Sequence, residues 1–157
     1  MAKDHKYHLQ IEWTGNTGVG TKEYKSYERS HTISSEGKPT LQGSADPAFL
    51  GDLYAWNPED LLVASLLSCH MLSYLHLCTV AGIVVLSYQD DAEGTMSLGN
   101  GEGRFTNVTL HPTVTISDAS KSNLAQELHE KAHKQCFIAN SVNFTVESKP
   151  IIKKGSS

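Results

Sequence analysis

Three cysteines carry the most reactive side chains in this chain: Cys69, Cys78 and Cys136. Thiolate is the nucleophilic form of cysteine, and it needs a nearby cation or helix end together with solvent access. Cys69 lies within LLVASLLSCHMLSYL, in the middle of an apolar helical pattern where the dipole helps little, so a cation must come from elsewhere in the fold. The competing reading of Cys69 is a small packed core residue. Cys78 follows it by nine residues, two and a half helical turns, and therefore projects from the opposite side of the helix. An internal redox pair is then Cys69 with Cys136 or Cys78 with Cys136, and spacing does not choose between them.

A second constellation competes for Cys136. His129, His133 and Cys136 recur at i, i+4 and i+7 on one quarter of a helix, with His76 and Cys78 as further donors, a spacing suited to zinc. Its alternative is surface histidines flanking a core helix. There are only two arginines, Arg29 and Arg104, so any task needing a planar, permanently charged fork falls on one of them. The chain has no CxxC, HExxH or GxSxG sequence and no phosphate-binding glycine loop.

The elements that must position these residues read as α+β. Tyr7, Leu9, Ile11 and Trp13 alternate with polar residues and predict a half-buried strand over Tyr7–Trp13; GNTGVG turns the chain, and Tyr27–Ser34 returns as a second strand with Arg29, His31 and Ile33 on one face. Gly37–Trp56 is expected to be a long apolar loop, of a length that is commonly functional. Asn57 as N-cap, Pro58 at the first position and Glu59 and Asp60 in the first turn start a helix that runs to about Ala81 and stops at Gly82. That helix is apolar nearly all round, which predicts burial. Beyond strand Ile83–Tyr88, a hairpin pairs Glu93–Leu98 with Arg104–Ile116. An amphipathic helix over Asp118–Gln135 then delivers Cys136, a short helix restarts in FIANSV, and Phe144–Glu147 is the last strand.

At 157 residues the chain suits one domain, expected over 1–152, with a disordered polar tail over 153–157. A net charge of −4 without a basic field argues against nucleic acid and anionic membrane as partners. A transmembrane reading of Leu61–Leu86 is disfavoured because histidines and serines interrupt it and no basic residues flank it. The N-terminal MAKDHKYHLQIEW lacks a secretory pattern, and three widely spaced cysteines do not form a secreted disulfide framework, so a cytoplasmic protein is expected.

The segment NPEDLLVASLLSC, Asn57–Cys69, closely resembles the signature of the OsmC/Ohr family, in which Asn-Pro-Glu opens the central helix and a reactive cysteine lies ten residues after the Glu. AHKQCFIANS, Ala132–Ser141, resembles that family's second-cysteine segment. The resemblance implies antiparallel sheets around a long buried central helix in an intertwined homodimer, and a thiol peroxidase without a cofactor. By it, Cys69 attacks the peroxide, Cys136 resolves the product as a disulfide, and Glu59 with an arginine, Arg29 in preference to Arg104, supports the thiolate. It also implies an external dithiol as reductant and leaves Cys78 as a packed thiol. Phe49, Leu53, Trp56, Met71 and Phe137 are candidates to line a pocket for an organic hydroperoxide, with simple core packing as the alternative. Alternative functions are metal binding at His129, His133 and Cys136, or a non-catalytic binding module. His70, directly after Cys69, departs from the family's commoner aromatic or small residue.

Overall fold

A computed structural model describes residues 2–155. The described residues fall into two compact units, divided between Leu62 and Val63.

In the first unit three short strands, β1 (Gln10–Trp13), β2 (His31–Ser34) and β3 (Leu41–Gly43), form an antiparallel sheet in that order. The strand expected from Tyr7 begins only at Gln10, because β2 offers four partners, from Ser34 opposite Gln10 to His31 opposite Trp13. Tyr27–Ser30 likewise stays outside the ladder. The Trp13 indole donates to the Glu28 carbonyl and meets the Tyr27 ring edge-on at 5.8 Å. The long loop is more ordered than expected. It contains β3 and a 3-10 turn, Pro47–Phe49, whose cap Asp46 accepts from the Ala48 N–H.

Helix α1 spans Pro58–Val80, as its start signals predict. The Asp60 N–H donates to the Asn57 side chain at 2.8 Å, the N-cap bond expected of Asn. At the other end Gly82 takes φ 71°, and the Ile83 N–H reaches back to the Cys78 carbonyl at 2.8 Å, closing the last turn. The expected all-round burial of α1 is not found. Leu66, His70, Tyr74, Leu77 and Cys78 are buried, a stripe at helical spacing, whereas Leu72 is 59% and Val80 74% exposed. One chain supplies packing partners for one face only.

The second unit holds two three-stranded sheets. One orders β4 (Val85–Asp90), β7 (Pro112–Ile116) and β9 (Ile151–Lys154); the other orders β5 (Glu93–Gly99), β6 (Glu102–Leu110) and β8 (Thr145–Ser148). The single arm expected over Arg104–Ile116 is thus two strands in different sheets. The break falls at His111, whose N–H donates to the Asp90 carboxylate at 2.7 Å, followed by Pro112, which has no N–H to continue the ladder. Both sheets are mixed, not antiparallel: β6 pairs with β8 and β7 with β9 in parallel. Helix α2 (Ser122–Gln135) makes this possible by providing the long crossover that parallel pairing needs. The disorder expected from Lys153 onward is not found at residues 153–155. Lys153 and Lys154 belong to β9, and the Gly155 N–H bonds the Ile116 carbonyl at 2.8 Å, while Ser156 and Ser157 lie outside the described residues.

Two apolar clusters hold this unit together. Tyr74, Leu77 and Cys78 of α1 pack with Val114 and Ile116 of β7 and with Ala125, Leu128 and Ala132 of α2. Leu66 packs with Val108 and Leu110 of β6.

Inside the core, α1 and α2 are joined by polar groups. His70 Nε2 and His129 Nδ1 lie 3.0 Å apart with their rings within 11° of parallel, and the Tyr74 hydroxyl donates to the Ala125 carbonyl at 2.9 Å. His129 also stacks on the Tyr74 ring at 3.8 Å. Burial pulls His70 down to about 4, with His133 adding to the effect, and burial pulls His129 down to about 3, with His70 adding to it. One imidazole of the pair donates and the other accepts, and because burial disfavours the charged form of each ring, both are neutral in the native state.

Two predictions follow from this packing. Leu66→Ala, which removes a fully buried side chain, should lower unfolding free energy by about 2–5 kcal/mol in urea denaturation. In the same measurement repeated across pH, stability should fall as the solution is acidified from pH 6.5 towards 4. In that window the unfolded chain, whose histidines titrate near 6.5, binds protons that the folded His70 and His129 refuse. A native protein equally stable at pH 4.5 and 7 in which His129→Leu leaves the pH slope unchanged would contradict the neutral pair.

Candidate active site

Cys69 sits in the middle of α1 and is half-buried; Cys136 ends α2 and is buried. Cys136 caps the helix in an extended conformation, and its N–H reaches the His133 carbonyl at 3.3 Å. The chain then bends into a 3-10 turn, Ala139–Ser141, which brings the Ala139 N–H to 3.4 Å from the Cys136 sulfur. The short helical restart expected in FIANSV is this turn, and its N–H becomes a donor to the thiol.

The two thiols are neighbours. Burial pushes the Cys136 thiol up to about 11, the Ala139 N–H opposes the rise, and the hydrogen-bonded Cys69 side chain adds to it. Cys136 is therefore held as a thiol at neutral pH. Cys78 is placed elsewhere. It belongs to the cluster around Tyr74 and Val114, where burial raises its pKa against the opposing hydrogen bond of Tyr74. Of the two pairings that spacing leaves open, tertiary structure brings together Cys69 and Cys136.

The alternative metal constellation of His129, His133 and Cys136 does not assemble. Among the described residues no group of three or more His, Cys, Asp or Glu side chains is placed to hold an ion. The physical reason lies in prior engagements: His129 Nδ1 is bonded to His70, and the Cys136 thiol to Cys69. His129 also lines a cavity of about 310 Å³ with Ser148, Val146 and Pro150. Its Nε2 and the Ser148 hydroxyl are both buried without a partner among the described residues.

Arg29 lies outside β2, on the segment that precedes it. Its guanidinium rests over the rings of Tyr27 and Tyr24, at 4.0 and 4.6 Å, and donates to both of their carbonyls. Glu59, in the first turn of α1, is half-buried, and among the described residues no ion pair joins it to Arg29. Arg104 is on β6, near the hairpin end, 3.5 Å from the Asn143 side chain. The apolar candidates are distributed between the units. Phe49, Leu53 and Trp56 belong to the first and Met71 and Phe137 to the second. Leu53 is 72%, Trp56 52% and Phe137 81% exposed in the single chain, so the core reading does not hold for these three.

Sequence reasoning missed the partnership of His70 and His129. His129 stood out as a metal donor and His70 as a departure from the family, but 59 residues separate them and no local pattern joins them.

The family model described as OsmC-like protein matches residues 50–149. Among solved structures, the chain is similar to an OsmC-like protein of unknown function, VCA0330 from Vibrio cholerae O1 biovar eltor str. N16961. The two are 31% identical with a TM-score of 0.84, covering 94% of this chain and 100% of that one. An organic hydroperoxide resistance protein from Elizabethkingia anophelis is 22% identical with a TM-score of 0.66, covering 98% of this chain and 100% of that one. One from Legionella pneumophila is 20% identical with a TM-score of 0.65, covering 96% and 99%. At those identities the last two show a shared fold. No curated protein matches the chain. With the α+β fold, the Asn57-Pro58-Glu59 helix start and the joined pair Cys69 and Cys136, the match over residues 50–149 establishes that this chain belongs to the OsmC-like family.

Proposed function

We propose that the protein is a thiol-dependent peroxidase that reduces organic hydroperoxides in the cytoplasm. The observation that carries this reading is the placement of a half-buried Cys69 against a buried Cys136. The two similar proteins with hydroperoxide resistance in their names support it.

In the first step the Cys69 sulfur attacks the outer peroxide oxygen and the O–O bond breaks. Cys69 becomes a sulfenic acid, and the alcohol leaves with the thiol proton. In the second step the Cys136 sulfur attacks the Cys69 sulfur, a disulfide forms, and the Cys136 proton leaves with hydroxide as water. Because Cys136 is held as a thiol, it stays unreactive until that leaving hydroxide can take its proton. An external dithiol then returns both cysteines to thiols by exchange and is itself oxidised to a disulfide.

The cation for the Cys69 thiolate comes from Arg29, steadied by Glu59, and the site is shared between two chains of a homodimer. Glu59 and Cys69 are ten residues apart on α1, a rise of ~15 Å, too far for one arginine to serve both within one chain. Two copies of α1 crossing antiparallel near the small residues Ala64 and Ser65 would bring Glu59 of one chain level with Cys69 of the other. The exposed Leu72 and Val80 support a partner on that helix. Phe49, Leu53, Trp56, Met71 and Phe137 would be the apolar surface offered to the organic part of the substrate in that assembly.

Mass spectrometry after exposure to a bulky organic hydroperoxide, and separately to hydrogen peroxide, should find a Cys69–Cys136 disulfide with Cys78 free. Cys69→Ser should reduce turnover to background. Cys136→Ser should complete one cycle and then accumulate sulfenic or sulfinic acid on Cys69. A disulfide involving Cys78, or undiminished steady turnover in Cys136→Ser, would refute the assignment. The shared site is tested with mixed dimers. A Cys69→Ser chain paired with a Glu59→Ala chain should regain about half of native activity through one intact site, and no rescue in verified mixed dimers would overturn the arrangement.

A further inference from the structure

We propose that the His70–His129 pair positions the two thiols for disulfide closure. This inference rests on the peroxidase reading. His70 directly follows Cys69 on α1, and His129 lies two turns before Cys136 on α2. Two polar contacts tie these helices: His70 to His129 at 3.0 Å and the Tyr74 hydroxyl to the Ala125 carbonyl at 2.9 Å. The contact residues are four apart on both helices, and they pair in opposite order. They form two rungs of an antiparallel ladder along facing stripes. Cys136 lies just beyond the C-terminal end of α2, where it contacts Cys69.

Two rungs fix both the sliding and the rotation of one helix against the other. Apolar contacts are non-directional, and the neighbouring Ala125, Leu128 and Ala132 offer only these. A bond between the sulfurs requires approach to about 2.05 Å, and a misplacement of ~1 Å at a reacting centre can slow a step on the order of 100-fold. The directional contact lies where such a slip would be amplified, beside one cysteine in sequence and along the helix that carries the other. His70 and His129 touch neither peroxide nor sulfur in this scheme. They are positioning residues, and their loss should affect the second step and not the first.

The test separates the two steps in rapid-quench mass spectrometry, with a dimedone-type reagent to trap the Cys69 sulfenic acid. His129→Phe keeps a ring to stack on Tyr74 but removes Nδ1, and His129→Asn keeps a polar atom near the place of Nδ1. Tyr74→Phe removes only the second rung. Sulfenic acid should form at the native rate in all three. Disulfide closure should be ~10- to 100-fold slower in His129→Phe, with sulfinic acid accumulating on Cys69 as peroxide rises, and less slowed in Tyr74→Phe. His129→Asn should recover most of the closure rate. Should His129→Phe lose its cooperative urea transition, slowed closure in Tyr74→Phe carries the test. Native closure rates in the folded variants overturn the proposal, as does a His129→Asn variant as slow as His129→Phe. If native Cys69 is not oxidised by peroxide at all, the peroxidase reading fails; if it is, and closure does not depend on the rungs, only the positioning role fails.

Discussion

Two imidazoles buried in an apolar core can bond only if one gives a proton and the other a lone pair. That requirement governs the meeting of α1 and α2. A proton added to either ring of His70–His129 would bury a charge, and on the accepting nitrogen it would also set donor against donor; desolvation holds both rings well below the ordinary histidine range. The bond is therefore directional and neutral. With Tyr74 stacked on His129 and bonded to Ala125, it joins residues four apart on both helices. The apolar clusters on either side supply the larger share of burial but little directional information.

The cysteines inherit their difference from the same packing. Cys69 projects from a helix that is covered on one stripe and stays half-buried, while Cys136 is folded under the turn at the end of α2. Burial raises the Cys136 pKa, and the Ala139 N–H only partly offsets it. One thiol is open to a reagent and the other is kept protonated behind it. Cys78, on the opposite side of α1, is removed from both by the helical repeat.

Strand topology serves this arrangement. The chain leaves one sheet and enters the other at His111 and Pro112, so β6 and β7 can receive the parallel strands β8 and β9 that follow α2. That crossover returns α2 to α1 and carries Cys136 with it. Lys153 and Lys154 lack an apolar pattern, yet β7 offers them a backbone ladder that needs none.

Local chemistry made much of the protein legible in its sequence. The Asn57 cap and Gly82 stop bounded α1, the alternation after Phe105 marked strands, and the spacing of Asn57-Pro58-Glu59 to Cys69, with the segment around Cys136, pointed to the family. Such signals survive because caps, turns and periodicity act over a few residues. What joins distant segments did not show. The pairing of His70 with His129 and the parallel strands each depend on where the backbone returns. Sequence could name Cys69 and Cys136 through resemblance and leave Cys78 open through spacing. Only the tertiary structure put one pair of sulfurs together, because contact between residues 67 positions apart is decided by the packing of two helices and not by any local preference.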